Sequence, residues 1–242
     1  MKLQSFLAPV LLAFAAGALP AGAAIFNWEW AGVNLEVPDA PYFGDPTTVS
    51  DTRTIRTGYL PGLTQVEDIS VWVQVVGSDG AGGSGTMWNG DLSVRLSHES
   101  GVSVVLMNRV GRTATNPYGS PGSGIDVRFD GAALDDVHVS AGSGALSGTF
   151  QADGRSANPS LVGAFSPRDA TLADAIGAFL SVNGTPDGQL TLSVTDLESG
   201  GLARVAAWGM TVSAVPEHDS TLLVAAGALA GVVLLRERRR RR

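Results

Sequence analysis

Apolar and polar residues alternate one by one along most of this chain, and that period allows little besides β-structure. Ile69, Val71, Val73 and Val75 interleave with Ser70, Trp72 and Gln74, and Leu92, Val94 and Leu96 interleave with Ser93, Arg95 and Ser97. Val102, Val104 and Leu106 come after Gly101, and the pattern returns at Ile125, Val127, Phe129 and at Leu190, Leu192, Val194. In the segment Leu202 to Val212, Ala206, Trp208, Met210 and Val212 are expected to share a face. A period of two sends neighbouring side chains to opposite faces, so each run reads as a strand with one buried side. Only Ala170 to Leu180 carries a partly helical pattern. His98-Glu99-Ser100-Gly101 reads as a hairpin turn and Thr185-Pro186-Asp187-Gly188 as a second turn. Many short strands between turns predict an all-β antiparallel sandwich, of the jelly-roll kind.

Both ends are built differently from the middle. Lys2, the apolar stretch Leu3 to Leu19 and the small-x-small sequence Ala21-Gly22-Ala23 describe a signal peptide over residues 1–24, cut after Ala23 or Ala24 by signal peptidase. The other end has three zones: Val215 to Thr221, an unbroken small and apolar run from Leu222 to Leu235, and a basic tail from 236 to 242. As a helix the apolar run covers only roughly 21 Å, less than the roughly 30 Å hydrocarbon core. Arg236, Arg238, Arg239, Arg240, Arg241 and Arg242 hold that end on the cytoplasmic side. A plain tail anchor and a processed sorting signal both have this layout. The three zones resemble the PEP-CTERM class of bacterial sorting signals, and most closely the VPDSG-CTERM type. Val215, Pro216, Glu217, Asp219, Ser220 and Thr221 fall on the motif, with Glu217 in place of an aspartate and Asp219 in place of a glycine. The resemblance implies a membrane-inserted sorting helix and cleavage by an exosortase-type enzyme, the membrane being a transient partner.

Residues 25–214 then form the exported body, a length suited to one domain with a real core. Seven of the 16 basic residues and three of the 23 acidic ones sit in the end segments, which leaves the body with a charge of −11. That sign repels phosphate backbones and argues against a nucleic-acid partner. With no cysteine there are no disulfides, thiolate zinc sites or cysteine nucleophiles.

The candidate chemistry in the body is sparse. Gly80, Gly82 and Gly85 spell a dinucleotide-binding glycine pattern, but a turn and a strand come next, where that motif needs a helix N-terminus. His98 and His138 are the only histidines of the body, too few for a three-histidine zinc site, and no serine lies in a Gly-x-Ser-x-Gly elbow. Both histidines are expected to be solvated, and no catalytic residue is assigned. Among the carboxylates, Glu67 with Asp68, Asp135 with Asp136, Asp91 and Asp196 sit at strand ends or loops, where each caps a turn or joins a calcium site of six to eight oxygens. Trp28, Trp30, Tyr42, Phe43, Trp88 and Tyr118 are expected in loops or terminal segments, where rings can stack on sugars.

Over roughly Val37 to Val212 the order of residues resembles the P domain that accompanies subtilisin-like proprotein convertases. The elements that carry it are Val37-Pro38-Asp39, a strand around Thr54 to Gly58, Ile69 to Val76, Gly90-Asp91-Leu92 leading into Val94-Arg95-Leu96, and Gly101 to Met107. Gly188-Gln189-Leu190-Thr191-Leu192, Val194-Thr195-Asp196, Gly200, Leu202 and Trp208 close it. The resemblance implies a galactose-binding-like jelly roll, sometimes stabilised by calcium, that is not itself catalytic. The expected function is that of an exported surface or extracellular-matrix protein with a structural and adhesive role. The alternatives are a module binding extracellular polysaccharide, and an accessory domain linked to a serine endopeptidase.

Overall fold

In a computed structural model, residues 24–41, 45–56, 63–140, 142–159, 168–172, 174–175 and 187–216 are described. The period-two runs become strands β1 (Ala24–Val37), β2 (Thr48–Ile55), β3 (Leu63–Ser78), β4 (Leu92–His98) and β5 (Ser103–Asn108). They continue as β6 (Ile125–Asp130), β7 (Leu146–Phe150), β8 (Gly188–Asp196) and β9 (Leu202–Pro216). One sheet has the order β1-β9-β3-β6-β7 and the other β2-β8-β4-β5. Neighbours are antiparallel except β6 and β7, which run parallel. The chain is therefore an all-β sandwich.

The core lies between the sheets. Ile69, Val71, Val73, Val75, Val127, Phe129, Trp208 and Met210 face it from one side, and Leu92, Leu96, Leu190, Leu192 and Val194 from the other. Trp208 is completely buried, and its indole N–H donates to Asp51 Oδ2 of the opposite sheet at 2.6 Å. Trp30 leans on it with ring centroids 4.2 Å apart.

Three sequence expectations are corrected. Trp28 and Trp30 belong to β1, where with Phe26 they alternate against exposed Asn27 and Glu29 and pack on the core. Ala206 does not share the face of Trp208. Pairing of β9 with β3 passes from Gln74↔Ala207 to Val75↔Val205, so Ala206 is an extra residue. One extra residue reverses the alternation, which is why Ala203 and Val205 are buried before it and Trp208, Met210 and Val212 after it. Thirdly, the histidines are not solvated. His98, closing β4, is buried, and so is His138, in a 3-10 turn over Val137–Val139.

The hairpin at 98–101 is present: Gly101 N–H donates to the His98 carbonyl at 2.9 Å and Gly101 takes φ +90°. Of the helical stretch, Leu172, Asp174 and Ala175 are helical, started by reciprocal bonds between Thr171 and Asp174; residues 173 and 176–180 lie outside the described residues. Residues 1–23, Thr185 and Pro186, and 217–242 also lie outside them. No helix among the described residues is long and apolar enough to cross a membrane.

Candidate functional site

The end of the sandwich where β1 and β8 finish and β4 and β9 begin brings together two of the carboxylate candidates, Asp91 and Asp196. A 3-10 turn over Asn89–Asp91 delivers the chain into β4, and Asp196 closes β8 opposite Leu92. The Leu197 N–H donates to the Asp91 carbonyl at 2.9 Å, so the two strand ends are bound together. Asp39, just past β1, accepts from the Gly200 N–H at 2.9 Å. After β5, Arg109 takes a left-handed φ of +55° and turns the chain back, with its own N–H on the Leu92 carbonyl at 2.8 Å. The Arg109 and Arg112 guanidiniums then reach Glu198 Oε1 at 2.6 and 3.0 Å.

The turn is made rigid by one side chain. Asn89 is fully buried; its Nδ2 donates to the Gly124 carbonyl at 2.9 Å and its Oδ1 accepts from the Gly124 N–H at 3.1 Å. A side-chain amide thereby copies a strand's two-bond pairing. Beside it Gly90 touches the neighbouring loop so closely that a Cβ there would lie 2.4 Å from the Tyr118 carbonyl oxygen.

Electrostatically the two aspartates are unlike ordinary carboxylates. Asp91 is 6 % exposed and its carboxyl is pushed up to about 6, chiefly by burial and then by the anionic Glu198, with Arg112 opposing and Asp39 adding. Asp196, 3 % exposed, is pushed up to about 7 by burial, against the stabilising Glu198 N–H, with Asp91, Asp39 and Glu198 adding. Such a pair exchanges protons near neutrality. The test for calcium is convergence of oxygen donors. Among the described residues no three acidic, histidine or cysteine side chains converge on a point suited to a metal ion.

The other candidates disperse. Trp88 and Tyr118 stand exposed on adjacent loops at this end, 40 % and 71 % accessible. Tyr42 and Phe43 lie outside the described residues. Asp68 is in β3, away from the cluster, and the Glu67 side chain is outside the described residues. Asp136 caps the 3-10 turn by accepting from the His138 N–H and is bound by Arg155 and Arg168, both at 2.8 Å. His138 Nδ1 lies 2.9 Å from Asp153 Oδ2, and Arg155 also reaches Asp153, at 3.1 Å. The hydrogen bond with Asp153 raises the His138 pKa above the usual imidazole value despite burial. Of the residues read from the sequence as a sorting motif, Val215 and Pro216 are the last described residues of β9, opposite Gln65 and Leu63. Glu217, Asp219, Ser220, Thr221 and the tail arginines lie outside the described residues.

Arg109, Arg112 and Glu198 are not legible as a site in the sequence, because the separation of 89 positions between Arg109 and Glu198 hides their pairing. The local hint is two arginines spaced to share one turn. No protein-family model, curated protein or solved structure matches this chain.

Proposed function

We propose that the chain is an exported, non-catalytic jelly-roll protein of a bacterial surface or extracellular matrix, with a structural and adhesive role. A signal peptide delivers it, and an exosortase-type enzyme processes its C-terminal sorting signal. The observation that carries the reading is the placement of the folded body. Every described element, β1 to β9, falls within residues 24–216, between the small-x-small site Ala21-Gly22-Ala23 and the apolar run that begins at Leu222. Support for a P-domain-like jelly roll comes from strand order. With β7 set aside, β1-β9-β3-β6 faces β2-β8-β4-β5, and early strands pair with late ones in both sheets as in two interlocked Greek keys.

Two burials support the non-catalytic reading. His138 is buried against Asp153, and His98 is buried with Nδ1 against the Ser100 hydroxyl of its own turn. An accessory role beside a separate serine endopeptidase is what P-domain kinship adds. A second reading, binding of extracellular polysaccharide at the loop end, is favoured by the exposed Trp88 and Tyr118 rings.

Mass spectrometry of the protein recovered from its native host tests the proposal. The expected product starts at Ala24 or Ile25 and ends within Val215 to Thr221. A full-length product that keeps its final arginines would refute it.

A further inference from the structure

The outward face of the five-stranded sheet carries a hollow of about 230 Å3, remote from the acidic loop end and from the buried histidines. One register row crosses four strands: Glu29 on β1, Gly209 on β9, Trp72 on β3 and Arg128 on β6. Strands about 4.8 Å apart make that row roughly 14 Å long. At its second position there is no side chain. A Cβ on Gly209 would lie 2.6 Å from the Trp28 carbonyl oxygen, so tight packing of β1 on β9 demands glycine there and leaves the gap.

The walls of the gap are chemically mixed and held in place. The Trp72 indole N–H donates to Asp126 Oδ1 at 2.6 Å, which fixes the ring, and the ring is only half-buried. Arg128 is exposed and donates one N–H to the Ser70 hydroxyl at 2.6 Å; it has no ion-pair partner among the described residues. Glu29 is exposed on the opposite wall, and the Thr211 hydroxyl, bonded to Asn27 at 2.8 Å, still offers lone pairs.

We propose that this hollow binds one neutral pyranose unit of an extracellular polysaccharide, stacked on Trp72 and held at its hydroxyls by Glu29 and Arg128. A pyranose has an apolar face of C–H bonds and a rim of groups that both donate and accept. An aromatic ring beside one carboxylate and one guanidinium matches both features. The volume falls below the roughly 300 Å3 where drug-sized pockets begin, so it suits a single ring, with the chain running on across the open sheet. Charge selects against acidic glycans: around the hollow Glu29, Asp126 and Asp130 outnumber Arg128, and the body carries −11. The hollow lies over β9 and β3, which are hydrogen-bonded on both sides, so an extended peptide could pair only along the outer edge of β1, outside the hollow. The inference deepens the proposed adhesive role and rests on that reading for its compartment alone.

The test is calorimetric titration of the purified full chain with cello-, xylo-, manno- and laminarihexaose, and with hexagalacturonate as the acidic counterpart. At least one neutral hexaose is expected to bind. Trp72→Ala and the surface change Glu29→Gln should each weaken it about tenfold or more, while Trp72→Phe retains most of the affinity and Trp88→Ala all of it. Unchanged melting of Glu29→Gln separates lost binding from lost folding. Silence across the neutral panel, preference for hexagalacturonate, or indifference to Trp72→Ala and Glu29→Gln would each overturn the inference. Loss in Trp88→Ala alone would overturn it in favour of the loop end, and a correctly trimmed product that binds no sugar would leave the export reading standing.

Discussion

The Trp208 indole N–H points across the core at Asp51, so a carboxylate of one sheet satisfies the largest buried side chain of the other. Arg53, from the same strand as Asp51, shares that carboxylate at 2.8 Å. Asp51→Ala strands a buried donor and is expected to cost about 1–3 kcal/mol, whereas Asp51→Asn keeps an acceptor and costs less. Trp208→Ala should cost about 3–5 kcal/mol through the cavity it leaves. Urea unfolding of each variant measures the differences.

Acidification is expected to stabilise the protein. Asp91 at about 6 and Asp196 at about 7 hold protons in the folded state that the unfolded chain, titrating near 3.8, has already released. The folded state therefore binds more protons between about pH 4 and 7, and stability falls as pH rises through that window. His138, also shifted upward, contributes with the same sign. The melting temperature should be higher at pH 5 than at pH 8, and Asp91→Asn with Asp196→Asn should flatten most of the slope, the remainder belonging to His138.

Arg155 sits 2 % exposed between Asp136 and Asp153. Arg155→Met leaves Asp153 with His138 alone and Asp136 with Arg168 alone as ion-pair partners among the described residues, and is expected to cost about 3 kcal/mol. Arg168, a quarter exposed, shares only Asp136, so Arg168→Met should cost about 1 kcal/mol or less. Denaturant midpoints compare the two.

Replacing Asn89 by alanine removes the bonds to both backbone groups of Gly124. A loss of roughly 2–3 kcal/mol is expected, with faster hydrogen exchange at the Gly124 amide. Asn89→Asp should fail to restore it, since a carboxylate cannot donate to the carbonyl.

Which parts of this molecule the sequence announces depends on how local each signal is. The runs at 69–75, 92–96, 125–129 and 190–194 are strands because alternation is complete within each. Phe26, Trp28 and Trp30 alternate just as well with Asn27 and Glu29, so β1 is present in the sequence and is obscured by treating tryptophans as sugar-stacking rings. The extra residue at Ala206 has no local mark, because a bulge is defined only against its partners on both sides. β7 is short, carries Gly148 and buries little, and its parallel pairing with β6 depends on the loop that precedes it. At the candidate site the carboxylates Asp91 and Asp196 are legible from their strand-end positions. Their altered acidity is not, since it comes from burial and from Glu198 and Asp39 brought in from elsewhere in the chain.

That β9 runs on through Val215 and Pro216 sets a leash. Only Glu217 to Thr221 separate its last described residue, Pro216, from the apolar run, and covalent geometry limits that span, counted to Leu222, to roughly 20 Å. If the run enters a bilayer, the sandwich must ride nearly against the lipid headgroups. An enzyme cutting there would have to work in a cleft narrower than most globular domains, or draw the end of the strand out of register to reach it.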